Sequence, residues 1–158
     1  MVDPSASSQL LQASAVAIEG RALLIEGEPG VGKSSLALAL IERGARLIGD
    51  DGVTLAREDR GDMNPAQDKR LIASPPPNTA GLIEVRGVGL VRLETAGPTR
   101  VSLILSLVPA GDPDPVRLPD WAPKRDILGC RIPCLPFRPG PIAPAERARH
   151  ALMMHGIA

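Results

Sequence analysis

Aromatic residues are almost absent from this chain: Trp121 and Phe137 are the only two, and there is no tyrosine. Proteins that bind single-stranded nucleic acid stack the bases on exposed aromatic rings, so this mode of binding is excluded. The chain also lacks an excess of positive charge, because 18 Lys and Arg residues balance 18 Asp and Glu residues. Binding a phosphate backbone requires such an excess. We therefore expect no nucleic-acid partner.

Signals for membrane insertion and secretion are lacking as well. The chain contains no run of about 18 apolar residues, so no transmembrane span is expected. Residues 1–5 (MVDPS) have neither the positive charge nor the apolar stretch of a signal peptide. Two cysteines in 158 residues are too few for a disulfide framework. These absences predict a cytoplasmic protein that does not bind membranes. The length predicts one domain over residues 1–158, with residues 1–9 as a flexible leader.

Aliphatic side chains supply the expected core, since apolar residues make up 44% of the chain. Short apolar runs at 13–18 and 22–26, separated by three polar or glycine residues, predict a β-hairpin. Apolar residues at helical spacing predict a helix over 33–43 that ends at Gly44. The fold class is therefore predicted as α/β with a mixed, largely β core. The other predicted elements are strands at 45–49, 53–57, 70–74, 82–85, 88–93 and 101–108, a turn at 58–62, a loop at 109–126 and a short helix from Pro144.

Residues 27–34, GEPGVGKS, match the phosphate-loop (Walker A) pattern GxxxxGK[ST]. The glycines let backbone amides converge on phosphates, and the N-terminus of the following helix adds the positive end of its dipole. Lys33 would neutralise phosphate charge and Ser34 would ligate Mg²⁺. The pattern predicts nucleotide binding, and a glycine-rich turn with an incidental lysine is the structural alternative. The predicted nucleotide-binding residues are Gly27, Glu28, Pro29, Gly30, Val31, Gly32, Lys33, Ser34 and Ser35.

Two adjacent carboxylates, Asp50 and Asp51, follow an apolar strand shortly after this loop. A carboxylate at a strand end beside a phosphate loop can hold Mg²⁺ or position the nucleophile. Neighbouring residues on a strand point in opposite directions, so the two acids are expected to divide these tasks. The segment Asp-Asp-Gly is also typical of a turn that joins two strands, and this alternative stays open.

Glu84 and Arg86 belong to a third cluster, EVRGVG at 84–89. Side chains alternate along a strand, so these two share one face. An acid beside a guanidinium could serve a metal and a phosphate respectively. An exposed Glu/Arg pair before a turn fits the same residues, so the pattern alone leaves both interpretations open.

Three segments together resemble one protein family. They are GEPGVGKSSLALALIERGARLIGDD (27–51), LIEVRGVGLV (82–91) and ILGCRIPCLPFRPG (127–140). In order and spacing they resemble the phosphate loop with its acidic pair, the E-[IV]-R-G-x-G signature and the late RPG stretch of the catalytic domain of HPr kinase/phosphorylase. The resemblance implies a P-loop kinase domain of the PEP carboxykinase-like type. It also implies ATP- and Mg²⁺-dependent phosphorylation of a serine on the phosphocarrier protein HPr, with reversal by phosphorolysis.

The resemblance further implies roles for single residues. Asp50 would be the base that takes the serine hydroxyl proton, and Asp51 would help to position the metal–phosphate group. Glu84 would contribute to the Mg²⁺ shell, and Arg86 would support the loop or the transferring phosphoryl group. Arg125 would face the phosphorylated partner. The metal ligands implied in this way are Ser34, Asp51 and Glu84.

Two positions depart from the family pattern. Gln12 stands where the family usually has a histidine, and Ser35 stands where longer members carry an acidic residue. Two other functions therefore stay open: a P-loop kinase for a different acceptor, and a nucleotide-sensing module with little catalysis. Assembly into a homo-oligomer is left open by the sequence.

Overall fold

The computed structural model describes residues 8–59 and 69–158. Within these residues the chain forms eleven strands and two helices. The strands are β1 (Ser8–Leu11), β2 (Ser14–Ile18), β3 (Arg21–Glu26), β4 (Arg46–Gly49), β5 (Val53–Asp59), β6 (Lys69–Ser74), β7 (Leu82–Val85), β8 (Gly89–Arg92), β9 (Thr99–Leu107), β10 (Lys124–Ile127) and β11 (Cys130–Phe137), and the helices are α1 (Lys33–Ile41) and α2 (Pro144–His155).

Nine strands form one mixed sheet, and β7 and β8 form a separate two-stranded sheet. The main order is β1-β5-β6-β9-β3-β2-β4, with β11 also paired to β9 and β10 paired to β11. Strands β3 and β11 run parallel to β9, while the remaining pairs of the large sheet are antiparallel. The architecture confirms the predicted α/β class with a mixed, largely β core.

The hairpin of β2 and β3 forms where the sequence predicts it. Glu19 and Gly20 both have positive φ, 50° and 80°, and they connect Ile18 to its partner Arg21. Two-residue turns of this kind match the right-handed twist of the flanking strands. The turn directs β3 back through the centre of the sheet, and β3 ends at the phosphate loop.

The core consists of two clusters, one on each face of the central strands. On one face, α1 and α2 pack Leu36, Leu40 and Leu152 against β3 and β9. On the other face, residues from β5 and β6 pack against residues from β2 and β4, so the two ends of the sheet close over that side. Strand β9 contributes to both clusters, as its apolar sequence predicts.

Several boundaries differ from the prediction. Ser8 and Gln9 lie in β1 rather than in a leader, and residues 1–7 lie outside the described residues. The predicted turn at 58–62 is wrong at its start, because Glu58 and Asp59 continue β5; its remainder also lies outside the described residues. The predicted loop at 109–126 is wrong at its end, because β10 begins at Lys124.

Strand β11 was not predicted at all. It carries Pro133 and Pro136, and proline is normally a signal against a strand within a sheet. Both prolines lie within paired segments, but each segment of β11 has a partner on one side only: β10 pairs with it up to Pro133, and β9 pairs with it from Cys134 to Phe137. Proline is tolerated at such an edge, where its missing N–H can face the unpaired side. Neither helix within the described part of the chain is long and apolar enough to cross a membrane.

Candidate nucleotide site

The phosphate loop connects β3 to α1 and depends on glycine at two positions. Gly30 and Gly32 have φ of 83° and 112°, and a Cβ built on either would meet open space. Glycine is needed there for the backbone conformation, because side chains disfavour positive φ. Gly32 is the N-cap of α1 and provides no side-chain cap. The first amides of α1 therefore remain available to an anion.

Lys33 folds back over this loop. Its Nζ donates to the carbonyl oxygen of Gly27 at 2.7 Å and to that of Glu28 at 3.2 Å. These contacts hold the ammonium group at the loop's open side. The positive charge and the free amides of α1 thus face the same space.

One cavity of about 250 Å³ joins the three segments that the sequence singles out. The phosphate loop, the turn after β4 and the β7–β8 hairpin all contribute side chains to it. Of the residues predicted to bind nucleotide, Gly27, Glu28 and Val31 belong to the loop but do not line the cavity. The lining residues are Pro29, Gly30, Gly32, Lys33, Ser34, Ser35, Asp51, Glu84 and Arg86.

Asp50 is buried, with 8% of its surface exposed, and accepts three hydrogen bonds. Its Oδ1 accepts from the hydroxyls of Ser34 at 2.6 Å and Ser14 at 2.9 Å. Its Oδ2 accepts from the backbone N–H of Glu84 at 3.1 Å. One carboxylate therefore ties the phosphate loop, β2 and β7 together.

Asp51 has the opposite environment, since it is exposed and lines the cavity. The two acids lie in a turn between β4 and β5, not on a strand, and Asp51 has φ of 56°. This confirms the structural alternative of an acidic turn, and the turn itself lies beside the phosphate loop. One carboxylate is enclosed and the other is presented to the cavity, and the division of tasks between them stays a prediction.

Glu84 and Arg86 both line the cavity. Ile83, which is also in β7, faces the opposite side and is fully buried. Glu84 and Arg86 thus lie on the same side, as strand alternation predicts, but Arg86 follows the last residue of β7 and belongs to the hairpin turn. The tip of the hairpin beyond Arg86 turns through Gly87 and Gly89, both with positive φ.

Arg125 lies outside this cavity. Its two terminal nitrogens each contact one carboxylate oxygen of Glu26 at 2.5 Å, and Nη2 donates to Cys134 Sγ at 3.3 Å. The hydrogen bond to Glu26 is the main cause that raises the pKa of Arg125 above its ordinary value. Arg125 thus fastens β10 to the last residue before the phosphate loop, and the structure does not bring it together with the other predicted catalytic residues.

Ser14 is the site residue that sequence reasoning missed. It lies within β2 and is fully buried. The available signal was a hydroxyl inside an otherwise apolar strand, since a buried polar group almost always has a hydrogen-bond partner.

The side chains that line the cavity fit a hard divalent cation. Ser34, Asp51 and Glu84 offer only oxygen ligands, which Mg²⁺ prefers. Within residues 8–59 and 69–158 there is no cluster of three or more His, Cys, Asp and Glu side chains able to hold a metal. A cation here would need further oxygen ligands, and nucleotide phosphates commonly supply them.

Several known proteins are similar to this chain in sequence or in structure. The family model described as HPr Serine kinase C-terminal domain matches residues 4–141. The HPr kinase/phosphorylase of Lacticaseibacillus casei (strain BL23) is 36% identical over 119 residues, covering 72% of this chain and 33% of that protein. The HPr kinase/phosphorylase of Listeria monocytogenes serotype 4a (strain HCC23) is 35% identical over 142 residues, covering 79% and 41%.

Among solved structures, the Hpr(Ser) kinase/phosphatase from Coxiella burnetii matches with a TM-score of 0.69 at 28% identity, covering 92% of each chain. This match confirms the predicted fold type. The chain spans only 33% to 41% of the length of the two curated relatives described above. Since the family model matches most of its residues, the chain belongs to the HPr serine kinase C-terminal domain family.

Proposed function

We propose that this chain transfers the γ-phosphoryl group of ATP, with Mg²⁺, to a serine hydroxyl of the phosphocarrier protein HPr, and that it also catalyses the removal of that phosphate. The observation that carries the proposal is the single cavity in which the phosphate loop, Asp51, Glu84 and Arg86 meet. The names of the relatives, HPr kinase/phosphorylase, support HPr as the acceptor.

Phosphate binding rests on the loop and on Lys33. The Nζ of Lys33 donates to two loop carbonyls, and Lys33 lines the cavity, so its ammonium group is placed to bind phosphate oxygens. The amides at the start of α1 add donors to the same space. Mg²⁺, when bound, neutralises charge on the β- and γ-phosphates, and Ser34 and Glu84 are the residues that would hold it, which leaves the Asp51 carboxylate free for proton transfer.

We assign the two carboxylates in the reverse of the order that the family resemblance suggests. Asp51 would take the proton from the serine hydroxyl as its oxygen attacks the γ-phosphorus, while the bond from phosphorus to the β–γ bridging oxygen breaks. Support comes from the exposure of Asp51 in the cavity. Asp50 would orient Ser34 instead, since it is buried and its oxygens already accept three hydrogen bonds.

In the reverse direction, Asp51 would take a proton from inorganic phosphate as a phosphate oxygen attacks the phosphorus of phosphoserine. The bond from phosphorus to the serine oxygen would break, Asp51 would pass the proton to that oxygen, and pyrophosphate would leave. Arg86 would face the negative charge of the group in transfer, since it lines the cavity beside Glu84. Phosphoryl transfer depends mainly on positioning and on charge stabilisation, and these residues provide both.

The test is a phosphotransfer assay with radiolabelled ATP, MgCl₂ and purified HPr. The wild-type chain should label one serine of HPr, and Asp51→Asn should lower the rate by roughly 10²- to 10⁴-fold, the usual contribution of a general base. Glu94→Gln serves as the matched control, since Glu94 is an exposed carboxylate outside the cavity, and it should keep the wild-type rate.

Three results would argue otherwise. Loss of transfer in Asp50→Asn with full activity in Asp51→Asn would restore the role of base to Asp50. ATP turnover with an unmodified HPr would favour a kinase for another acceptor. Nucleotide binding without any transfer would favour a sensing module.

A further inference from the structure

A buried hydroxyl lies directly behind the cavity. Ser14 is fully buried on β2, and its neighbours Ala13, Ala15 and Val16 are fully buried apolar residues. Its Oγ donates to Asp50 Oδ1 at 2.9 Å. Placing a hydroxyl in such surroundings is unfavourable unless it is hydrogen-bonded, so this contact fixes the orientation of both groups.

Asp50 is stabilised by neutral donors. Among the described residues, no lysine, arginine or histidine forms an ion pair with it. Two hydroxyls and one backbone amide share its carboxylate. Neutral donors orient a negative charge without cancelling it, so the carboxylate can still attract a cation bound at Ser34.

The hydrogen bond from Ser34 to Asp50 decides which part of the Ser34 hydroxyl can bind a cation. A serine hydroxyl has one proton and two lone pairs. Because the proton of Ser34 is donated to Asp50 at 2.6 Å, the lone pairs are free for a cation in the cavity that Ser34 lines. Were Asp50 to rotate, Ser34 could rotate with it and turn its proton towards the cation.

We propose that Ser14 is a positioning residue for the metal–nucleotide complex. It holds Asp50 Oδ1 in place, and Asp50 in turn holds Ser34 with its lone pairs towards the cavity. Ser14 touches neither nucleotide nor metal itself. The inference rests on the proposed function, because it requires a divalent cation at Ser34.

The experiment measures binding, using ADP as the probe in calorimetric titrations of the full chain with MgCl₂ or with EDTA. The wild type should bind ADP more tightly with Mg²⁺ than with EDTA, and the ratio of the two affinities is the Mg²⁺-dependent gain. Ser14→Ala should reduce this Mg²⁺-dependent gain by roughly 10-fold or more, the usual effect of losing a group that orients a metal ligand. Its affinity for ADP in EDTA should stay close to the wild-type value.

The chain offers a matched control in Ser102, a serine on β9 that is 2% exposed and does not line the cavity. Ser102→Ala also removes the hydroxyl of a buried serine on a central strand and should leave the Mg²⁺-dependent gain unchanged. Thermal unfolding checks that each variant folds. Ser14→Cys keeps a side chain of similar shape, but its thiol is a weaker hydrogen-bond donor, so the Mg²⁺-dependent gain should be intermediate. This variant replaces Ser14→Ala in the test if Ser14→Ala does not fold.

A double-mutant cycle tests whether Ser14 acts through Asp50. Once Asp50→Asn is present, Ser14→Ala should cause little further loss of the Mg²⁺-dependent gain. The proposal would be overturned if Ser14→Ala caused the same loss with and without Asp50→Asn. It would also be overturned if Ser14→Ala and Ser14→Cys both kept the Mg²⁺-dependent gain of the wild type. A wild-type chain that binds no ADP would overturn the proposed function itself, and so is distinguishable from a failure of Ser14 alone.

Discussion

Lys33 shows how a single side chain can serve the site without supporting the fold. Its ammonium group bonds two carbonyl oxygens of the phosphate loop, and Glu28 in that loop is exposed. Water can replace the ammonium at such carbonyls. No comparable replacement exists for a positive charge that faces a phosphate.

We therefore expect Lys33→Ala to separate binding from stability. The free energy of unfolding in urea should change by no more than about 0.5 kcal/mol, as for other surface substitutions. The affinity for Mg²⁺·ADP should fall by about 10-fold or more, since hydrogen bonds to charged groups contribute about 1.5–3 kcal/mol. Lys124→Ala, at an exposed lysine of β10, is the control. Wild-type affinity in Lys33→Ala would contradict the assignment of this loop to phosphate.

At the same scale, the sequence predicted that the loop, Asp51, Glu84 and Arg86 meet, but not that Arg125 lies elsewhere or how each residue is bonded. The loop motif and the alternation of Glu84 and Arg86 depend on local geometry, so both could be read along the chain. The bonds of Asp50 reach Ser14 and Ser34, which are 36 and 16 residues away, and Arg125 reaches Glu26 over 99 residues. Contacts across such separations depend on the tertiary fold, and local patterns do not encode them.

Among the elements, the turn between β4 and β5 has the strictest steric requirement. A Cβ on Gly49 would lie 2.1 Å from the carbonyl oxygen of Gly52 and 3.1 Å from Cδ of Pro76. The backbone of Gly52 cannot move away from such a Cβ without displacing Asp50 and Asp51, which lie between the two glycines. The turn thus couples local packing to the placement of Asp50 and Asp51.

Gly49→Ala should destabilise the chain by about 1–3 kcal/mol, the usual effect of overpacking, and should also weaken Mg²⁺·ADP binding. Gly97→Ala is the matched control, because a Cβ there meets no atom within 4 Å and Gly97 has no positive φ. That variant should unfold at the wild-type urea concentration or slightly above it. Equal stability of the two variants would show that the turn can relax.

Elements with a clear apolar pattern were predicted well, and the strand that carries proline in its interior was not. The hairpin of β2 and β3 and both helices have apolar residues at suitable spacings, β9 is a nearly continuous apolar run, and Pro144 is itself typical of the first turn of a helix. Strand β11 carries two prolines, and its pairing with β9 and β10 is set by partners distant in sequence. Its neighbour β10 is four residues long with three exposed side chains, so it has little apolar pattern to detect.

At the scale of the whole molecule, the two core clusters share their central strands. Leu40 of α1 packs in the cluster on the helical face, and Leu55 of β5 packs in the cluster on the opposite face. Strands β2, β3 and β9 contribute to both clusters. Neither cluster can be exposed to water without disturbing strands that the other cluster needs.

We therefore expect the chain to unfold as one cooperative unit, as the prediction of a single domain requires. Leu40→Ala and Leu55→Ala should each lower the free energy of unfolding by about 2–5 kcal/mol, the usual effect of truncating a buried leucine. Far-UV circular dichroism in urea and differential scanning calorimetry measure this, and each variant should show one transition. Leu118→Ala, at a leucine that is 82% exposed, controls for the loss of a leucine as such. Two separate transitions in either core variant would show that the clusters unfold independently, and the chain would then contain two folding units.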